Sequence, residues 1–337
     1  TKCVERLMYT RLKLGMFDEE CKYNDIPYSV IYSKKHKKLN LEMARESIVL
    51  LKNNGILPLK KNTNVAVVGP NADDKSVLLA NYNGTPDDYY TLLRVIQSVC
   101  KGDVLYARGS HVFEDESTWR YSEHPLREAI ITAGYSDVII MCMGINPSIE
   151  GEESTHRGFK GDRDEIELPA VQYKLFDELK KLGKPIIFVN VSGSCVGLAH
   201  ADKNADAVIQ CFYPGALGGI ALADVIFGNV SPCGRLPVTF YEKTSDLPDF
   251  EDYSMKGRTY RFFEGQPVYR FGHGLTYANI KEEWIDDYTV KLTNPSDVDT
   301  GYSVLRYEDK TKRKLLDFKK VQLKGNSSIT VQFTPGK

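Results

Sequence analysis

Between about Asn64 and Gly228, short apolar runs alternate with segments whose apolar positions recur every three or four residues. The runs are VAVVG from Val65, DVIIMCMG from Asp137, PIIFVNVSG from Pro185 and AVIQCFYPG from Ala207. Continuous hydrophobicity rich in Val and Ile is what a strand covered on both faces needs, so these runs predict buried parallel strands. LPAVQYKLFDELKKLG lies between two of them and reads as a helix, with Leu175, Leu179 and Leu182 on one face. Pro169 suits its first turn and Gly183 its stop. GALGGIALADVIFG repeats that logic and ends at Gly228. The alternation predicts an α/β sandwich domain over 44–243, built on a mostly parallel sheet.

The pattern then changes twice. Pro, Gly and aromatic residues crowd SPCGRLPVTFYEKTSDLPDF and RTYRFFEGQPVYRFGHG, which predicts an extended connector over 244–275. After it, DYTVKLTNPSD, GYSVLRYED, LLDFKKVQL and SSITVQFT read as short strands separated by turn residues. They predict a small all-β sandwich over 276–337, about 60 residues against the ~100 of an immunoglobulin-type domain. The first 43 residues read as a helix and a linker.

Composition narrows the function classes. A chain of 337 residues suits two cores, and 42% hydrophobic with 26% charged residues is ordinary for a globular protein. A net charge of -1 with mixed signs argues against a nucleic-acid partner. No apolar run approaches the ~20 residues that span a bilayer, so no membrane partner is expected. Seven cysteines occur without regular spacing or a CxxC pair, which argues against a disulfide framework or zinc site. Cys142 and Cys211 lie within or beside apolar runs as small hydrophobes. This thiol usage points to a cytoplasmic setting. Thr1 is not a natural start, so export stays open. No cofactor is expected, and nothing in the pattern fixes an oligomeric state.

The candidate chemistry concentrates in MGINPSIEGEESTHRGFKGDRDEIELP, from Met143 to Pro169. It leaves an apolar strand and brings Glu150, Glu152 and Glu153 within four positions, with His156 and the pair Asp162-Arg163 farther along. In open α/β sheets ligands collect beyond the carboxyl ends of the strands, so these acids stand at the functional edge. A carboxyl pressed against a partner surface there can be a general acid. The alternative is a solvated loop whose acids pair with Arg157 and Arg163. VSGSCVG offers Ser192, Ser194 and Cys195 after a strand, but it is not GxSxG and has no evident His/Asp partners. NYNGTPDDYYTLL, with Tyr82, combines amides, acids and aromatics, a composition that binds sugars and equally fits a surface loop. His273 sits in an aromatic turn and reads as structural.

Several ordered motifs resemble glycoside hydrolase family 3, in its bacterial β-xylosidase and β-glucosidase members. RLKLGMFD resembles the end of that family's (β/α)8 barrel, and ARESIVLLKNNGILPL the start of its second domain. VAVVGPNAD, YPGALGGIALADVIFGNVSPCGRLPVTF and YRFFEGQPVYRFGHGLTY resemble its α/β sandwich and the segment after that domain. LLDFKKVQLKGNSSITVQF is similar to its fibronectin type III-like domain. NYNGTPDDYYTLL and SIEGEE lean toward the β-xylosidase-like branch.

The resemblance implies a retaining, exo-acting β-glycosidase that takes a β-linked oligosaccharide or an aryl glycoside. A barrel aspartate acts as nucleophile and a sandwich-domain glutamate as acid/base, their carboxyls about 5–5.5 Å apart. Glu150 matches the acid/base position, with Glu152 as runner-up; Glu152, His156 and Tyr82 are candidate substrate contacts. Asp162 and Arg163 match a motif that orders the loop. No barrel is found apart from the helix near Thr1–Asp18, so residues 1–43 are expected to be the end of a missing barrel with its linker. The chain alone is then expected to be inactive, as a truncated form, a processed fragment or a split-gene product. The alternative is a non-catalytic carbohydrate-binding or scaffold module.

Overall fold

The computed structural model describes residues 1–20, 23–115, 124–150, 163–308 and 314–335. The chain forms two compact units, Thr1–Leu39 and Asn40–Lys337. The first holds helix α1 (Lys2–Lys13), with no residue buried, and a short turn at Tyr28–Val30. Helix α2 covers Lys34–Ser47.

The second unit is organised by a six-stranded sheet. Strands β1 (Val49–Asn53), β2 (Val65–Val68), β3 (Val104–Ala107), β4 (Val138–Gly144), β5 (Ile186–Val191) and β6 (Ala207–Gln210) lie in the order β1-β6-β5-β4-β2-β3. All pairs are parallel except β1 with β6, so the mostly parallel sheet is as expected. Helices α3 (Ser76–Leu79), α4 (Leu92–Val99), α5 (His124–Gly134), α6 (Ala170–Lys180), α7 (Ala199–Asn204) and α8 (Gly218–Ile226) connect the strands.

Strand periodicity divides the core in two. Val65, Val67, Ile140, Cys142, Val189 and Ile209 point to one face, under Leu92, Ile96, Leu222 and Ile226 of α4 and α8. Ala66, Val68, Ile139, Met141, Phe188 and Val208 point to the other, under Ala129, Leu175, Phe176 and Leu179 of α5 and α6. Leu182 lies just past α6 and is only partly buried. Burial on both faces explains why these runs carry no alternation.

The connector is partly ordered rather than only extended. It holds a 3-10 turn at Thr244–Asp246 and helix α9 (Thr259–Phe262), and Tyr269 bridges back to Phe240. Beyond it lie two small antiparallel sheets. Strands β7 (Lys281–Trp284), β8 (Thr289–Asn294) and β11 (Ser327–Gln332) form one, and β9 (Thr300–Tyr307) with β10 (Leu315–Leu323) the other. Val290, Leu292, Val304, Leu323, Val331 and Phe333 fill the space between them. β7 is exposed along its length and charged, as an unpaired edge needs.

Candidate functional site

The sheet order places β3 on one side of β2 and β4 on the other. Chain direction across the sheet therefore reverses between β2 and β4, and the crevice beyond their carboxyl ends is the fold's natural ligand position. Glu150 leaves β4 at this reversal.

A single turn of INPSIE fixes it. Asn146 O accepts from the backbone N–H of Ile149 at 3.0 Å and of Glu150 at 2.9 Å. The Asn146 side chain accepts from Ser148 N–H at 3.1 Å and Ser148 Oγ at 2.6 Å, an Asx turn that stops the strand. Ile149 is buried and pins the turn to the core, and Glu150 after it is half-buried. Upstream, Gly144 has φ +124 and sits where a Cβ would strike the Val191 carbonyl of β5. No other residue fits so close an exit. Gln172 of α6 then clamps the strand end, accepting from Gly144 N–H at 3.0 Å and donating to Gly144 O at 2.6 Å. From the neighbouring loop, Asn71 donates to the carbonyls of Met143 and Ile145 at 3.2 Å.

Two residues act on the Glu150 carboxylate, one by a hydrogen bond and one by charge. Tyr213, just after β6, donates its hydroxyl to Glu150 Oε2. Phe212 before it has φ 44, an uncommon backbone for a bulky residue, and this turn directs Tyr213 back across the strand ends. Burial and the Glu150 bond both push the Tyr213 phenol well above its usual range, so it remains a donor at any ordinary pH. Arg163 is the second. Burial lowers its pKa, and the charge of Glu150 foremost, with that of Glu167, opposes the shift. Arg163 Nη2 also donates to Glu167 O at 2.9 Å. Among the described residues, Glu150 Oε1 accepts no hydrogen bond. It lies on the side of Gly193, where an added Cβ would come within 3.2 Å of Oε1 and 2.7 Å of the Tyr213 ring.

Other sequence candidates fall elsewhere. Glu152, Glu153, His156, Arg157 and Asp162 lie outside the described residues. Tyr82 lies on the loop after α3, 89% exposed with φ 56. The Ser194/Cys195 turn is not built as a nucleophile. Ser192 donates to Ser194 O at 2.9 Å and accepts from Asn190 and Gln210 inside the sheet. Burial pushes the Cys195 thiol up to about 11, so the reactive thiolate is suppressed. His200 packs edge-on to Phe176 and pairs with Asp177 at 2.9 Å. His273 stacks on Tyr269 and its Nε2 meets Leu51 O at 2.8 Å, in line with a structural role. Among the described residues, no three His, Cys, Asp or Glu side chains converge as a metal site. No helix among them is long and apolar enough to cross a membrane.

Sequence reasoning misses Tyr213. It is 63 residues from Glu150, and only strand order brings them together. The one local signal is its position at the exit of a buried strand, in CFYPG.

This arrangement can present one carboxyl, steadied at one oxygen and open at the other, to a group arriving over the strand ends. Comparison with known proteins bears on what that group is. Residues 48–277 match the glycosyl hydrolase family 3 C-terminal domain. A xylan 1,4-β-xylosidase of Xylanibacter ruminicola is 32% identical over 83% of this chain and 49% of its own length. The solved family 3 exo-β-xylosidase XlnD, in complex with a xylobiose aziridine activity-based probe, superposes with a TM-score of 0.84 at 28% identity. It covers 97% of this chain and 47% of its own. A β-glucosidase from Erythrobacter marinus gives 0.79 at 31% identity, over 95% of this chain and 48% of its own. The chain thus spans about half the length of the relatives it matches. It belongs to glycosyl hydrolase family 3.

Proposed function

We propose that this chain supplies the acid/base arm of a retaining, exo-acting β-glycosidase, with Glu150 as proton donor and then as base. The observation that carries it is the Glu150 setting. The carboxyl stands at the topological switch of the sheet, with Oε2 held by Tyr213 and Oε1 beside Gly193 without a hydrogen bond among the described residues. The nucleophilic carboxylate belongs, in this reading, to a (β/α)8 barrel within the half of the relatives' length that this chain does not span. Without it no glycosyl-enzyme can form, so the chain alone is inactive. β-Xylosides are the favoured substrates over β-glucosides, supported by the names of the relatives. The sheets of β7–β11 fit a fibronectin type III-like module that supports the sandwich.

The proposed order of steps is that of a retaining glycosidase. A glycosidic oxygen arriving over the strand ends takes a proton from Glu150 as the C–O bond breaks and the nucleophile attacks the anomeric carbon. Glu150, now a carboxylate, receives the counter-charge of Arg163 and the hydroxyl of Tyr213. It then takes a proton from water, which displaces the nucleophile from the sugar. Each step uses the same carboxyl, so its fixed orientation matters twice.

Glu150→Gln in a protein that unites this chain with the barrel is the direct test. Turnover of β-xylosides with poor leaving groups should fall by about two to four orders of magnitude, while activated aryl xylosides lose far less in the first step. Unchanged rates on poor leaving groups would move the role to Glu152 or Glu153.

A further inference from the structure

A cavity of about 620 Å3 opens between the connector and β9, apart from the Glu150 carboxyl. That size is within the usual range for small-ligand sites. Tyr260 and Phe271 form part of its wall, their rings stacked with centroids 4.2 Å apart and 16° between planes. Phe262 adds a third ring, 43% exposed. Lys256, Arg261 and Arg270 bring three positive charges to the lining, against the single acid Glu264. Arg270 uses one donor on Gln266 Oε1 at 3.1 Å, and Arg261 lies over the Phe262 ring at 5.2 Å.

Thr239 also contributes to the wall and is only 6% exposed. Its hydroxyl is enclosed and has no hydrogen-bond partner among the described residues.

We propose that this cavity is a second carbohydrate site that takes an acidic sugar, a uronate residue on a β-linked oligosaccharide. The C–H face of a pyranose packs on aromatic rings, and its hydroxyls match guanidinium and amide groups. The carboxylate matches the planar fork of Arg261 or Arg270, which a neutral sugar leaves unused. Thr259, at the start of α9, donates its N–H to Tyr241 Oη at 2.8 Å, and the Tyr241 backbone faces the Cys195 thiol. The cavity is therefore linked through Tyr241 to the Cys195 turn beyond β5. A substituted chain can be held here while its end is processed there. The sugar class rests on the function proposed above; the site itself does not require Glu150.

Calorimetric titration of the full chain decides the matter, using xylotetraose bearing one glucuronic acid, plain xylotetraose and inorganic phosphate. The acidic oligosaccharide should bind saturably, and the neutral one at least tenfold more weakly, roughly the loss of one charge-assisted contact. Arg261→Gln with Arg270→Gln should remove that difference without shifting the melting temperature, and Glu150→Gln should leave it intact. Equal affinity for the neutral oligosaccharide, or no binding of the acidic one, overturns the proposal. Phosphate binding as tightly as the uronate would make this a general anion site and overturn it too. Loss of binding in Glu150→Gln alone would place the ligand at the acid/base arm instead. Should the double variant melt early, the wild-type comparison of the three probes still decides.

Discussion

Two neighbouring strand ends carry similar raw material and come to opposite chemical ends. The exit of β5 offers Ser192, Ser194 and Cys195, and the exit of β4 offers Glu150. At β5 the polar groups turn inward. Ser192 bonds Ser194 O, and Asn190 and Gln210 join across β5 and β6 at 2.5 Å. Cys195 is buried enough to remain a thiol. At β4 the carboxylate takes one hydrogen bond, lies in the field of one cation, and keeps Oε1 without a bond among the described residues. Residue type does not separate a scaffold from a site here. What separates them is which groups keep unsatisfied capacity on the solvent side.

The first way to break this comparison is to attack the β5 side. Gln210→Leu takes one of two acceptors from the Asn190 amide and the amide donor from Ser192 O and Oγ, leaving an N–H and a carbonyl unpartnered in a fully buried setting. Each orphaned group costs about 1–3 kcal/mol, so a loss of roughly 2–4 kcal/mol in denaturant unfolding is expected. In the enzyme united with the barrel, protein that remains folded should turn over substrate with an almost unchanged rate constant. A large fall in kcat with little loss of stability would mean that the β5 network belongs to the site after all.

A smaller effect sharpens the β4 side. Tyr213→Phe keeps the ring packed and deletes only the hydroxyl on Glu150 Oε2. In the same united enzyme it should lower kcat by about tenfold on poor leaving groups, the size of one charge-assisted hydrogen bond, with KM little altered. Cys195→Ser, one strand away, is the control and should change neither. If the two variants behave alike, Tyr213 merely packs, and the distinction drawn between the strand ends fails.

How far the sequence can foretell this depends on the range of each signal. The four central strands are legible because burial on both faces writes continuous Val and Ile runs. Strand β1 is not, since Val49–Asn53 comes after α2 with a single residue between them and the apolar run reads on from the helix. β3 has four residues with only Ala107 buried, too little pattern to separate from a loop. β7 is exposed throughout, so hydrophobicity cannot mark it. At the site, Glu150 is legible from strand-end position and motif together. Its partner is not, because a positive φ at Phe212 and the strand order β6-β5-β4 leave no local trace.

The smallest expected effect tests the structural side of the comparison through pH. Burial lowers the His273 pKa from its ordinary 6.5, with Arg235 adding to the shift and the Leu51 carbonyl opposing it. Above about 6.5 the ring is neutral in both folded and unfolded chains, and its stabilising contribution is complete. As pH falls, the unfolded chain takes up the proton first, so stability drains until pH passes the lower folded value. The melting temperature should therefore decline from pH 7 toward 5, and His273→Gln should flatten that decline by a degree or so, about what a fraction of a kcal/mol moves a domain this large. His273 is sealed against Leu51 and Tyr269, so protonation of the ring acts on the turn it anchors. A decline that His273→Gln leaves untouched would show that another group governs the acid limb, and that the buried turn at Tyr269–His273 is electrostatically idle.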